Sequence, residues 1–234
     1  MTGADLTSGK KHIKGVSGLG EGKCIVVGAG DFTPIEINKK EGDLCIAVDG
    51  GYLYCKLVGL AVDLLIGDMD SIDENIRPEI EAMKEGNPEK VIMLNSEKDD
   101  TDTLAALRIG MERGYKDFRI YGAMGGRLEH TIANIQCLSF LKNNCRKAYI
   151  MDANVMMTVI KNESIKFDKG MDGFLSLFSL GEKAKGVTID GMKYPLREAT
   201  VTNDYPIGIS NEFIGEEGVI TVEEGMLLLI VSWA

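Results

Sequence analysis

The sequence predicts an α/β fold, an open and mostly parallel sheet domain followed by an all-β sandwich. Three observations carry this. Up to about residue 151, short and nearly continuous apolar runs alternate with helical patterns, as expected of strands covered on both faces. After about residue 154 the helical patterns stop, and strand-like runs follow, separated by Gly, Asp, Asn and Pro. The chain has 234 residues, 44% of them hydrophobic, which suits two smaller cores better than one large one.

Taken in order, residues 1–22 are rich in Gly, Ser, Thr and Lys without apolar periodicity, and are expected to form a flexible tail or tag. Strands are expected at 24–27, 44–48, 64–66, 91–94, 118–121 and 148–151. The intervening patterns predict helices over 51–58, 73–85, 102–113 and 129–141. These elements make up a first domain over 23–152. Runs at 155–160, 174–178, 187–189, 219–222 and 226–231 supply the strands of a second over 153–234.

Composition narrows the function classes. A net charge of −10 and a sequence pI near 4.8 argue against nucleic acid as a partner. The longest apolar runs, such as 226–231, are too short to span a bilayer, and no signal peptide pattern opens the chain. The expectation is a cytoplasmic protein with no membrane partner. The five cysteines form no CxxC pair and read as buried free thiols.

The chemistry is written just after the strands of the first half, where open α/β sheets bind ligands. Gly28-Ala29-Gly30-Asp31 follows the first strand, with glycines that let backbone approach a phosphate. Thr33 stands where a dinucleotide fingerprint needs its third glycine, and no GxxxxGK[ST] occurs. Asp49-Gly50-Gly51 follows the second strand and reads equally as a helix cap or as a carboxylate beside a ligand. In Gly67-Asp68-Met69-Asp70-Ser71, two carboxylates two residues apart repel each other unless a cation intervenes, and magnesium takes such oxygen ligands. Capping of the next helix explains one of Thr101 and Asp102. It leaves Asp99 and Asp100 as surface charge or as further ligands. After the fifth strand, Gly125 and Gly126 present backbone N–H groups to an anion, and Arg127 adds a planar donor fork. His130 and Asn134, one turn apart on the following helix, could reach the same anion. Metal carboxylates opposite a glycine–arginine clamp are complementary halves of a phosphorus-group transfer site.

In order, AVDGG (47–51), DLLIGDMDSI (63–72), EKDDTD (97–102) and GAMGGRLEHTIAN (122–134) resemble the thiamine pyrophosphokinase family. In the second half, GMKYPL (191–196) and ISNEF (209–213) continue the likeness, which covers roughly residues 24–232. The resemblance implies transfer of the pyrophosphoryl group of ATP to the hydroxyl of thiamine, giving thiamine diphosphate and AMP. It implies Mg2+ as cofactor and a homodimer. By likeness, Asp68, Asp70 and Asp102 match the magnesium-binding acids, and Asp49 and Asp99 match neighbouring acids. Arg127 matches the phosphate-contacting arginine. Ser210 and Asn211 match positions near a thiamine pocket built at the subunit interface. Asp70, Asp99, Asp102 and Arg127 are thus the expected catalytic set. Asp49, Gly50, Gly51, Gly125, Gly126, Arg127, His130 and Asn134 are the expected nucleotide contacts. The sequence departs from the family at Glu129, where aspartate is usual. It departs again over 225–231, which lacks the aromatic that animal and fungal members carry near the thiamine ring.

Three rival readings share the acidic site. They are a pyrophosphokinase for another hydroxymethyl heterocycle such as a pterin, a nucleotide-sugar glycosyltransferase, and a non-catalytic thiamine or nucleotide sensor.

Overall fold

A computed structural model describes residues 22–67, 74–94 and 100–233. The expected tail up to residue 21, and with it the segments that carry Asp68, Asp70 and Asp99, lie outside the described residues.

Five strands form the parallel part of the sheet: β1 (Lys23–Val27), β2 (Leu44–Val48), β3 (Leu64–Gly67), β4 (Val91–Met93) and β5 (Asp117–Tyr121), with β6 (Lys147–Met151) parallel beside β5. The runs of β1 to β3 are nearly continuous in apolar residues because both faces are covered, while β5 alternates, with Phe118 and Ile120 buried between Asp117, Arg119 and Tyr121. On one face, Ile25, Val27, Cys45, Ala47 and Leu65 pack with α1 (Gly51–Leu57) and α2 (Arg77–Gly86). On the other, Val26, Ile46, Ile66, Phe118 and Ile120 pack with α3 (Asp102–Glu112) and α4 (Leu128–Asn143). Gly110 lets α3 lie close to the sheet, since a methyl group there would press on Cys24 and Phe118.

The sheet continues beyond β6 as antiparallel strands. These are β7 (Val155–Lys161), β14 (Met226–Ser232), β9 (Phe174–Ser179) and the two-residue β12 (Asn211–Glu212), for ten strands in the order β12-β9-β14-β7-β6-β5-β1-β2-β3-β4. A second sheet of β11 (Leu196–Thr202), β10 (Lys183–Asp190), β13 (Gly218–Thr221) and β8 (Ser164–Phe167) packs on the far end. The sandwich core comprises Met156, Ile160, Leu175, Leu177, Val187, Ile189, Ile220, Leu227, Leu229 and Val231. Alternation explains the apolar runs here. Leu227 and Leu229 enter the sandwich core, while Leu228 faces the helical side. The α/β sheet and the sandwich therefore share one continuous sheet.

Four of the five cysteines are buried free thiols and Cys145 is exposed. Among the described residues no helix is long and apolar enough to cross a membrane.

Helix α1 is tied to α2 by Glu79, which accepts from Tyr52 Oη at 2.7 Å and pairs with Lys56. Those two partners, Lys56 first, hold the Glu79 carboxyl below its usual range. A lowered folded-state value contributes stability above the unfolded value that is lost as pH falls through the folded one. Thermal unfolding of Glu79→Gln should therefore show a deficit at neutral pH that shrinks as pH drops through the carboxylate range.

Candidate active site

Chain order places the candidate loops. β1 connects outward to β2, β3 and β4, and the chain then returns to lay β5 on the other side of β1. The topological switch point, where ligands bind in such sheets, therefore lies between the loops after β1 and β5. Those loops are stitched together. Gly28 N donates to Tyr121 O at 2.8 Å, Gly30 N to Gly122 O at 2.8 Å and Asp31 N to Met124 O at 2.7 Å. The approach is close enough that a Cβ on Gly28 or Gly30 would overlap the Gly122 carbonyl oxygen.

Gly125 and Gly126 both adopt left-handed backbone, with φ of 74° and 57°, so the clamp needs residues without a side chain. A Cβ on Gly125 would fall on the Asp31 carboxylate, which seats Asp31 directly against the clamp. Arg127 is the N-cap of α4, and 72% of its side chain is exposed. Its Nε donates to Glu129 Oε1 at 2.7 Å. The Glu129 carboxyl is held below its usual range, first by its own backbone N–H in the opening turn of the helix and then by Arg127. His130 is exposed in that turn. Asn134 is buried, and its Nδ2 donates to Ala123 O at 2.9 Å, holding the loop on the helix.

On the other side of β1, Asp49 ends β2 in left-handed backbone with φ 49°, and its N–H donates to Ile66 O at 2.9 Å. Such a conformation in a non-glycine residue is a strain that clusters at functional sites. The Asp49 carboxylate lies against Gly67, where any Cβ would overlap it. Asp49 thus sits where the segment bearing Asp68 and Asp70 leaves β3. Gly50 is the N-cap of α1, and Gly51 passes so close to β1 that a Cβ would overlap the Val27 carbonyl oxygen. Capping at α3 falls to Thr101, whose Oγ1 accepts from Leu104 N at 3.2 Å, and Asp102 follows in the first turn. Asp100 pairs with Arg108 at 2.9 Å.

Ser210 and Asn211 lie in the second half. Ser210 has φ 56°, and its N–H donates to Ser176 Oγ at 3.0 Å. Asn211 is buried. Its Oδ1 accepts from Tyr194 N at 2.9 Å and its Nδ2 donates to Tyr194 O at 2.7 Å, so it joins the 191–196 segment to β12. Trp233 Nε1 donates to Ala153 O at 2.8 Å, and the ring packs on the sandwich core.

Asp49, the Gly125–Arg127 clamp and the start of α3 all lie at the carboxyl edge of the parallel strands. Among the described residues no three His, Cys, Asp or Glu side chains gather as a metal group. The donor set nonetheless suits a hard cation. The expected acids offer carboxylate oxygens alone, and Asp49 lies against Gly67, the last described residue before Asp68 in the chain. The sequence marks Asp31 only as the end of the Gly28–Asp31 turn and gives its carboxylate no role, because nothing in the sequence says that the β1 loop touches the Gly125–Arg127 loop.

Comparison with known proteins matches both halves. A family model described as the catalytic domain of thiamin pyrophosphokinase covers residues 37–150, and one described as its vitamin B1 binding domain covers 162–227. Thiamine pyrophosphokinase of Bacillus subtilis (strain 168) is 31% identical over 194 residues, which is 82% of this chain and 88% of that protein. Thiamine pyrophosphokinase 1 of Oryza sativa subsp. japonica is 25% identical over 179 residues, 73% of this chain and 66% of the relative. The crystal structure of the Bacillus subtilis enzyme superimposes with a TM-score of 0.80 at 27% identity, covering 91% of this chain and 99% of that one. The yeast thiamin pyrophosphokinase structure shares the fold at 14% identity, with a TM-score of 0.70 over 92% of this chain and 88% of that one.

Proposed function

The chain belongs to the thiamine pyrophosphokinase family, and from that premise we propose that it transfers the pyrophosphoryl group of ATP to thiamine, giving thiamine diphosphate and AMP. One observation carries the reading. The Gly125–Arg127 loop lies against the β1 loop at the switch point, with Asp49 at the end of the neighbouring strand, in a chain whose two halves match the family's catalytic and vitamin-binding parts.

The hydroxyl of thiamine attacks the β-phosphorus of ATP, that phosphorus–oxygen bond to the α-phosphate breaks, and AMP leaves. Backbone N–H groups of Gly125 and Gly126 hold phosphate oxygens, and Arg127 swings from Glu129 onto the charge that develops there. Asp68, Asp70 and Asp102 would hold magnesium, which when bound neutralises phosphate charge. Asp99 or Asp102 accepts the hydroxyl proton. Orientation of the two substrates contributes more than the base, as is usual for phosphorus-group transfer.

The acceptor enters beside Ser210. There the helical side of the sheet leaves Phe174 and Phe178 exposed, and Ile207 and Ile209 are exposed in the neighbouring loop. A second copy of the chain covers this apolar face and completes the thiamine pocket. Sedimentation should accordingly give a dimer, and Phe178→Glu a monomer with reduced affinity for thiamine.

The test is direct. Incubation with ATP, magnesium and thiamine should release AMP and thiamine diphosphate in equal amounts, and chelation of the metal should stop both. Release of ADP, or turnover only with a hydroxymethylpterin, would overturn the reading.

A further inference from the structure

Phe32 and Tyr54 stack at the mouth of the site, with ring centroids 4.6 Å apart and planes within 11°. Tyr54, on α1, is pinned by its hydroxyl, which donates to Gly30 O at 2.8 Å, and its ring lies against Gly122. It also packs on the core beneath α1. Phe32 differs. Among the described residues it belongs to none of the three apolar clusters, and it stays partly exposed with one face against Tyr54. An aromatic ring backed by a fixed second ring and left out of the core has a face to offer.

The residue before it sharpens the reading. Asp31 is exposed, and its carboxylate rests against Gly125 of the phosphate clamp. Among the described residues no side chain pairs with that carboxylate. A negative charge beside a phosphate clamp opposes phosphate, so its place calls for a ligand part that donates hydrogen bonds. Ribose hydroxyls are such donors, and carboxylates accept from them in other nucleotide sites on α/β sheets. A flat base beyond the ribose would meet the next residue along the loop.

Resting on the function proposed above, we infer that Asp31 and Phe32 form the nucleoside subsite of the donor nucleotide. Asp31 accepts hydrogen bonds from the ribose hydroxyls, and Phe32, backed by Tyr54, stacks on the base. The β1 loop reads the nucleoside while Gly125–Arg127 reads the phosphates. The stitching of Gly28, Gly30 and Asp31 to the β5 loop fixes the distance between the two.

Calorimetric titration of the full chain in magnesium, with a non-hydrolysable ATP analogue and with inorganic tripolyphosphate, separates the parts. Phe32→Ala should weaken the ATP analogue about tenfold, the size of one base–aromatic stack, and leave tripolyphosphate within about twofold, while Phe32→Tyr restores binding. The unmodified chain should lose affinity for the analogue lacking both ribose hydroxyls, and Asp31→Asn should show no such difference. The inference is overturned if Phe32→Ala weakens tripolyphosphate as much as the ATP analogue, leaves both unchanged, or raises only the KM for thiamine. Failure of the unmodified chain to bind the ATP analogue would instead overturn the function proposed above, and this subsite with it.

Discussion

Arg127→Gln should lower kcat about a thousandfold, the loss typical when a charged contact to a transferring phosphorus group is removed. Its thermal midpoint should stay within about 1 °C of the parent, because exposed side chains rarely carry much stability. The structure supports both halves of that expectation. The Arg127 side chain is 72% exposed, and its described ion-pair partner is the equally accessible Glu129 on the same helix turn. An exposed ion pair of this kind adds little to folding. Arg127→Lys should recover only part of the activity, since it keeps the charge and loses the planar fork. Rapid-quench measurement of a single turnover, alongside thermal unfolding, checks the result. A variant that unfolds early, or one that keeps normal turnover, would remove Arg127 from the reaction.

Gly51→Ala should cost about 3 kcal/mol of stability, at the upper end for inserting one methyl into a packed interior, and lower the midpoint by roughly 8 °C. The added Cβ would overlap the Val27 carbonyl oxygen and crowd that of Gly28. Neither can yield cheaply. Val27 lies in β1, paired on both sides, and Gly28 is bonded to Tyr121. Relief must come from lifting α1 off the sheet, which carries Asp49 and Tyr54 away from the clamp. Turnover should therefore fall further than the stability loss alone requires at temperatures where the variant remains folded. Gly59→Ala is a fair comparison, because a Cβ there meets no neighbouring atom, although its φ of 67° adds some backbone strain.

The parallel strands were legible from sequence to within a residue or two. Runs such as 44–48 are apolar on both faces, and turn residues flank them. The sandwich was legible only in part. β8 and β11 carry polar side chains on their outer faces and lie at the edges of the smaller sheet, so neither gives a clear apolar period. β12 has only two residues, and its pairing with β9 depends on Asn211 holding the 191–196 segment. α2 begins at Arg77 rather than at 73, with Pro78 in its first turn, where a missing N–H costs nothing. At the site, Gly125 and Gly126 were legible because their left-handed backbone demands residues without a side chain, whereas the extended backbone at Arg127 makes no such demand. The contact between the β1 and β5 loops was not, since residues 28–116 separate strands that the chain reversal makes neighbours. Only that contact sets the Asp31 carboxylate against Gly125.

The sheet order has a consequence for synthesis. Among the described strands β14 comes last in the chain, yet it lies between β7 and β9, pairing with β7 along its whole length and with β9 from Leu227 to Ser232. While the chain emerges from the ribosome, β1 to β6 can assemble early, but β7 presents a long apolar edge that no earlier segment closes. β9, and β12 beyond it, join the large sheet only through residues 226–232. A nascent chain stalled before them would expose a templating edge to other chains. A protein cut there should accumulate as aggregate, not as a soluble nucleotide-binding fragment.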